Sequence, residues 1–389
     1  MTALWRGVLL TAVLLSGVFI SIGNAQRLGT AVIPSGVAPV DTLVDSVEPL
    51  PPSLPQPSLN LILPTSNTAL LDDDGPSFYQ YTDRYFEGRR STPWEGGQYG
   101  FVRNPRRTDH GLVYTRFHEG VDIQALYRDA RGEPLDTVVT VDDGKVVFVN
   151  NSAGASTYGK YVVVEHWWSG SPFYSLYAHL NSTDVRAGQE VERGDALGRL
   201  GYTGRGIDKR RAHLHFEINV KLSSSFDVWH GRLYRSGSNR HGNFNGINLA
   251  GLDVAALYHA LQDNPYLTIE DFIQSQEAFF AVTVPDEGYP DLLTRYPWLM
   301  SGSMPSQDAA SWEIFFTASG FPLEVRRSAR QVEAPIVTMV RNVEGAYGLY
   351  TSGRLAGTIE QPALSTRGLQ YMSLVMMPAA EEIAEETDG

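Results

Sequence analysis

The sequence predicts a mainly β protein: an antiparallel β-sheet domain followed by a smaller β-rich module with a few helices. Three observations carry this expectation. Residues 212–220 (Ala-His-Leu-His-Phe-Glu-Ile-Asn-Val) alternate polar and apolar side chains with a period of two, the pattern of a strand with one face in a core. Upstream, short β patterns at 138–141, 144–149, 161–166 and 173–180 follow one another with turn residues and no helix between them, which argues for antiparallel pairing. Downstream, further β-like runs at 279–284, 312–317, 335–340 and 345–350 form a second group.

Taken in order, residues 1–25 read as an export signal. Arg6 supplies a modest positive start, 7–22 is apolar, and Gly23-Asn24-Ala25 offers small residues for cleavage before Gln26. The apolar run of about 16 residues is short for a full membrane span, so cleavage is expected over retention as an anchor. Residues 26–77 are expected to form a linker: eight prolines between Pro34 and Pro64 favour an extended spacer. The main domain is expected over 78–265. It ends in a helix at 252–261, where Leu252, Ala256, Leu257 and Leu261 share a face. Thr268-Ile269-Glu270-Asp271 is a helix-start signal inside the accessory β-rich module at 266–375. Residues 376–389 are expected to be a disordered acidic tail, with five acids between Glu381 and Asp388.

Bulk composition removes some classes of function. A net charge of −13 argues against non-specific nucleic-acid binding, which needs a basic surface. With no cysteine there is neither a disulfide framework nor a thiolate metal site, so a transition metal must be held by His, Asp or Glu.

Suitable groups are present. His213 and His215 lie on the polar face of the alternating strand with Glu217 and Asn219, about 7 Å apart along the strand. Upstream, His118-Glu119-Gly120-Val121-Asp122 places a His and an Asp four residues apart around a glycine that permits a bend. Tyr177-Ala178-His179 ends a strand in which Phe173, Ser175, Tyr177 and His179 are expected to share one face. The Gly201-Tyr202-Thr203-Gly204 loop lies just ahead of His213. Catalytic zinc typically takes three protein ligands and keeps one open position. Four histidines and one aspartate suffice for a metal and two auxiliary groups.

The ordered set His118-x-x-x-Asp122, Tyr177-Ala178-His179-Leu180 and His213-Leu214-His215-Phe216-Glu217 resembles the lysostaphin-type (LytM, duplicated hybrid motif) zinc metalloendopeptidases, cell-wall hydrolases with an antiparallel β fold. Asp143-Gly144-Lys145-Val146, the 158–166 segment and the 185–194 segment agree with the same family, so the resemblance covers roughly 113–222. It implies Zn2+ on His118, Asp122 and His215 and catalytic roles for His179 and His213; Tyr177 is either a substrate contact or, as is more usual for a strand tyrosine, a packing residue. It implies an exported endopeptidase of a bacterial periplasm or cell envelope, opening peptide cross-links of peptidoglycan by attack of zinc-activated water on the amide carbonyl. The partners would be peptidoglycan stem peptides, with no nucleic acid and with membrane contact only through the export signal or an uncleaved anchor. The alternative is a non-catalytic regulator or wall-binding protein of the same fold. One departure is the basic approach to the His pair, Lys209-Arg210-Arg211, which either contacts stem-peptide carboxylates or is a solvated loop.

Overall fold

The computed structural model describes residues 59–234, 238–302 and 309–378. The export signal, most of the proline-rich linker and the acidic residues of the tail lie outside the described residues. The protein is mainly β, and among the described residues every strand-to-strand ladder is antiparallel.

The organising element is a seven-stranded sheet. Its path runs Glu190–Val191, Gly144–Asn150, Lys160–Trp168, Ser171–Leu180, His213–Lys221 and Leu249–Gly251. Val121–Gln124 pairs with the first half of His213–Lys221, on the edge that Leu249–Gly251 covers further along. The period-two alternation is realised as expected. Leu214, Phe216, Ile218 and Val220 enter the main core, and the histidines take the other face. That other face is not bare. Tyr161, Val163, Tyr174, Leu176, Ala178 and Leu249 form a second apolar cluster there, with Tyr158 and Phe244 packed on it. The sheet is therefore buried on both sides, and the histidines sit in a cleft rather than on an open face.

Helices fall close to the sequence signals. Val254–Asp263 is capped by the Asp253 side chain on Ala256 N–H, and Ile269–Gln274 by Thr268 on Asp271 N–H. After them comes a four-stranded sheet ordered Pro322–Ser328, Ser311–Phe316, Phe280–Pro285 and Ile336–Val340. The run at 345–350 is not a strand; it contains a short 3-10 helix, Tyr347–Leu349.

Two expected boundaries give way to packing. Residues 59–77 are not extended spacer. Leu63 and Leu70 are buried in the core, and the segment exchanges backbone bonds with the main domain, Ile62 N–H to Val141 O at 3.1 Å and Val139 N–H to Pro64 O at 2.9 Å. Enough apolar residues close that segment to overcome its proline content. Near residue 265 there is likewise no break in the core. One hydrophobic cluster runs from Val121 and Phe216 through Phe280, Phe316 and Tyr371, and the described residues form one compact unit. Polar bonds stitch the same seam: Lys221 N–H donates to the Tyr296 hydroxyl at 2.9 Å, and Trp298 Nε1–H donates to Ser171 Oγ at 3.0 Å. The C-terminal strands thus form a wall of the main domain. Among the described residues no helix is long and apolar enough to cross a membrane.

Candidate functional site

The central strand and its two neighbours bring five predicted groups together. His215 pairs across the sheet with Asp122 on one side and Ala178 on the other. His118 ends the strand Gly111–His118, and a two-residue turn returns the chain to Asp122. Gly120 is required in that turn, because a Cβ there would meet the Phe216 carbonyl oxygen at 2.3 Å. All five side chains line one cleft of about 1290 Å³.

His179 reaches the cleft by a device that simple alternation does not anticipate. Tyr177 points into the main core, so a regular strand would send His179 there too. His179 instead adopts a left-handed backbone, φ 64°, and the pairing with Lys160–Trp168 slips at this point. The slip turns the imidazole onto the site face, with its ring centre 4.7 Å from that of His213 and 5.7 Å from that of His215. Gly159 supports the turn. Its φ is +64°, and an added Cβ would strike Thr203 and Gly204 backbone atoms at 2.4 Å, closing the approach on which His179 rests.

Tyr177 is therefore not a substrate contact. It is fully buried, packs against Phe216 at 5.2 Å, and its hydroxyl accepts Val141 N–H at 3.0 Å. The basic loop makes ion pairs within the chain. Lys209 pairs with Glu133 at 3.1 Å, and Arg210 and Arg211 pair with Asp83 at 3.0 and 3.2 Å, so their charges are met within the chain.

Three of the five groups form a tight triangle. His118 Nε2 lies 3.0 Å from His215 Nδ1 and 3.1 Å from Asp122 Oδ1, and His215 Nδ1 lies 2.9 Å from that same oxygen. The far side of each imidazole is fixed. His118 Nδ1–H donates to the Gln98 carbonyl at 2.7 Å, and His215 Nε2–H donates to Glu217 Oε1 at 2.7 Å. These outward bonds aim the remaining nitrogen of each ring inward, where the two lone pairs and a carboxylate oxygen converge. Such a gathering is repulsive unless a proton or a cation lies within it. The sides of the triangle are close to the ~3.3 Å edge of a tetrahedron with ~2.0 Å arms, the zinc value for N and O ligands. The residues present therefore fit a zinc ion.

The surrounding residues hold this triangle. Arg103, on the strand Gly100–Thr108, bonds the second oxygen of Asp122 and also donates to the Gly96 carbonyl at 2.7 Å. Glu217 also accepts from the Tyr158 hydroxyl at 2.8 Å and from Asn219 Nδ2–H at 2.9 Å. Carboxylates behind ligating histidines typically carry about 10–100-fold in metal affinity. Glu217→Ala is accordingly expected to weaken zinc binding by about that factor, measured by competition with a chromogenic chelator.

His213 Nδ1 is bonded to the Arg211 carbonyl at 2.6 Å, and Nε2 lies 3.4 Å from Asp122 Oδ1. His179 Nδ1–H donates to the Thr203 carbonyl at 2.9 Å. Burial foremost, and then the neighbouring His213 and His215, hold its pKa well below the ordinary value, so it is neutral with Nε2 free as an acceptor.

These shifts predict a pH signature for the metal-free chain. Burial, reinforced by Arg103, holds His118 at about 4 despite Asp122. His118 and His179 are thus neutral folded but charge in the unfolded chain, so stability falls as pH drops from about 6.5 towards 4. Burial would lower His215 too, but its bonds to Asp122 and Glu217 prevail and raise it to about 10. Its contribution is complete below about 6.5 and is lost as pH rises through 10. The expected urea midpoint of the metal-free chain peaks near pH 6.5 as far as this site contributes. Zinc should flatten the alkaline limb, because the metal replaces the Nδ1 proton of His215.

Several of these residues carry little signal in the sequence. Glu217 was readable, since it lies two positions from His215 on the same strand face. Gln98 and Arg103 gave no spacing signal, because they approach from a separate hairpin. His241 lines the cleft and bonds the Tyr161 hydroxyl at 2.8 Å, although its loop context reads as surface. His166 takes a structural place, between the Asp143 carbonyl and Ser175 Oγ, each at 2.7 Å.

One segment of the chain matches known proteins. Residues 116–227 match the family model described as Peptidase family M23. The chain is 39% identical over 119 residues to the peptidoglycan DD-endopeptidase ShyA of Vibrio cholerae, covering 30% of this chain and 24% of that protein. It is 31% identical over 96 residues to the murein hydrolase activator NlpD of Escherichia coli, covering 25% of this chain and 23% of that one. The chain thus spans about a quarter of the length of these curated relatives. Among solved structures, the catalytic domain of lysostaphin from Staphylococcus simulans is 22% identical, with a TM-score of 0.24 over 40% of this chain and 85% of that one.

Proposed function

We propose that the chain, whose residues 116–227 match peptidase family M23, is an exported zinc metalloendopeptidase that hydrolyses peptide cross-links of bacterial peptidoglycan. The observation that carries this reading is the triangle of His118, Asp122 and His215, open to a cleft that His179 and His213 also line. In this reading His118 Nε2, Asp122 Oδ1 and His215 Nδ1 hold Zn2+. When bound, zinc supplies a Lewis acid that polarises the amide carbonyl and acidifies water.

The remaining chemistry belongs to the chain. His179 and His213 stand side by side at the cleft floor, each with Nδ1 tied to a backbone carbonyl. Each ring is thereby oriented with Nε2 towards the reacting groups. One accepts a proton from the attacking water and one is returned to the leaving amine, giving a carboxylic acid and an amine. Arg103, Gln98 and Glu217 orient the ligands through their bonds to Asp122, His118 and His215.

The relative named as a DD-endopeptidase supports peptidoglycan as the substrate, and the apolar start of the chain supports export to the periplasm or envelope. The complete set of five groups and the open cleft favour a hydrolase over a non-catalytic regulator. The test is digestion of purified sacculi by the zinc-loaded chain, with mass spectrometry of the soluble products. Conversion of cross-linked dimers to monomers is expected. Intact cross-links, with zinc bound, would turn the assignment to a regulator.

A further inference from the structure

The cleft wall contributed by the C-terminal segment carries charge that hydrolysis does not use. On a chain of net charge −13, this cleft is lined by seven arginines and only three carboxylate residues. Two of the three carboxylates are engaged, Asp122 by Arg103 and Asp83 by Arg211. The third, Glu119, lies in the turn between His118 and Asp122.

Arg354 is the most firmly placed of the remaining cations. Its guanidinium lies 4.4 Å from the centre of the Tyr371 ring, and that tyrosine is pinned by a 2.6 Å bond to the Gly320 carbonyl. The same guanidinium occupies the space that a side chain at Gly320 would need, 2.9 Å from an added Cβ. Its polar contact is one long bond of 3.5 Å to the Thr351 carbonyl, and among the described residues it makes no ion pair. Desolvation, the largest effect, lowers its pKa from the ordinary value, and the nearby charge of Arg367 adds to this. Arg367, on the helix Thr366–Val375, lines the same wall and donates to the Ser352 carbonyl at 2.8 Å. A guanidinium fixed by packing, with most of its N–H groups unused, matches a planar carboxylate.

We propose that Arg354, assisted by Arg367, forms a carboxylate-binding subsite that selects peptides carrying a free carboxylate beside the scissile amide. The substrate identity rests on the endopeptidase reading above; the binding of the anion does not. The wall comes from the C-terminal segment, so that segment acquires a role in substrate choice.

The test uses two fluorescein-labelled branched peptides with the same D-alanyl–diamino acid amide. They differ only in the free carboxyl of the diamino acid, which is a carboxylate in one and a carboxamide in the other. Anisotropy gives affinity, and chromatography gives kcat and KM, both on the zinc-loaded full chain. The wild type is expected to favour the carboxylate peptide by about 10-fold or more, in Kd and in KM, with kcat little changed. Arg354→Gln should bring the two peptides to parity while leaving the carboxamide peptide as it was. Arg354→Lys should retain part of the preference, since it keeps the charge and loses the fork. If the wild type shows no preference, or Arg354→Gln keeps it, the subsite is refuted. If neither peptide is cut, the endopeptidase reading fails while anisotropy still decides the subsite. Thermal melting checks the variants. Should Arg354→Gln fail to fold, Arg354→Lys and Arg367→Gln decide, and an undiminished preference in both overturns the proposal.

Discussion

The His215→Ala chain is expected to lose stoichiometric zinc and cross-link hydrolysis together, with a fall in rate on the order of 10⁴–10⁶. His215 Nδ1 is one corner of the triangle, 3.0 Å from His118 Nε2 and 2.9 Å from Asp122 Oδ1. Two ligands cannot keep an ion that three hold, because the affinity of such a site is spread over its whole donor set. The substitution also strips Glu217 of the charged partner that, against the effect of burial, lowers its pKa. A loss on the order of 1–3 kcal/mol in the metal-free fold is therefore expected as well. Zinc content by atomic absorption, fragment release from sacculi and the metal-free melt separate these effects. Full zinc occupancy in the variant would displace His215 from the ligand set.

His179→Ala and His213→Ala should behave differently. Neither imidazole belongs to the triangle, so each variant should keep close to one zinc per chain while its rate falls by about 10²–10⁴. His179 is the sharper case. Its left-handed backbone at φ 64° is a strained conformation for a histidine, kept because the turn delivers the ring to the cleft. Alanine removes the ring and leaves the turn. Metal content and single-turnover hydrolysis measured on the same preparation decide the matter. Loss of zinc in either variant would make that histidine a ligand.

Much of this was legible in the chain. The alternation through His213–Lys221 placed His213, His215 and Glu217 on one face, and the structure keeps them there, because a period-two pattern with one apolar face fixes register strongly. His118 and Asp122 were legible through their spacing around Gly120. The face of His179 was not. Counting in twos carried it with Tyr177 into the core, and only the positive φ at His179 reverses that. The hairpin of Gly100–Thr108 and Gly111–His118 was missed for another reason. Its sequence, Gly-Phe-Val-Arg-Asn-Pro-Arg-Arg-Thr, has no apolar alternation, yet it supplies Arg103 behind Asp122. The C-terminal wall was hidden as well. Its runs at 279–284, 312–317 and 335–340 read correctly as β while the run at 345–350 did not, and its packing on the main domain depends on contacts far apart in sequence, such as Trp229 Nε1–H to Ser373 Oγ at 2.9 Å.

A zinc titration of the metal-free chain, with hydrolysis of cross-linked muropeptides followed at each addition, tests whether the triangle is a catalytic metal site. The rate is expected to rise linearly to one equivalent of zinc per chain and then stay level, with no rise in the His215→Ala chain. Hydrolysis by the metal-free chain, or one tightly bound zinc without hydrolysis at any addition, would contradict it.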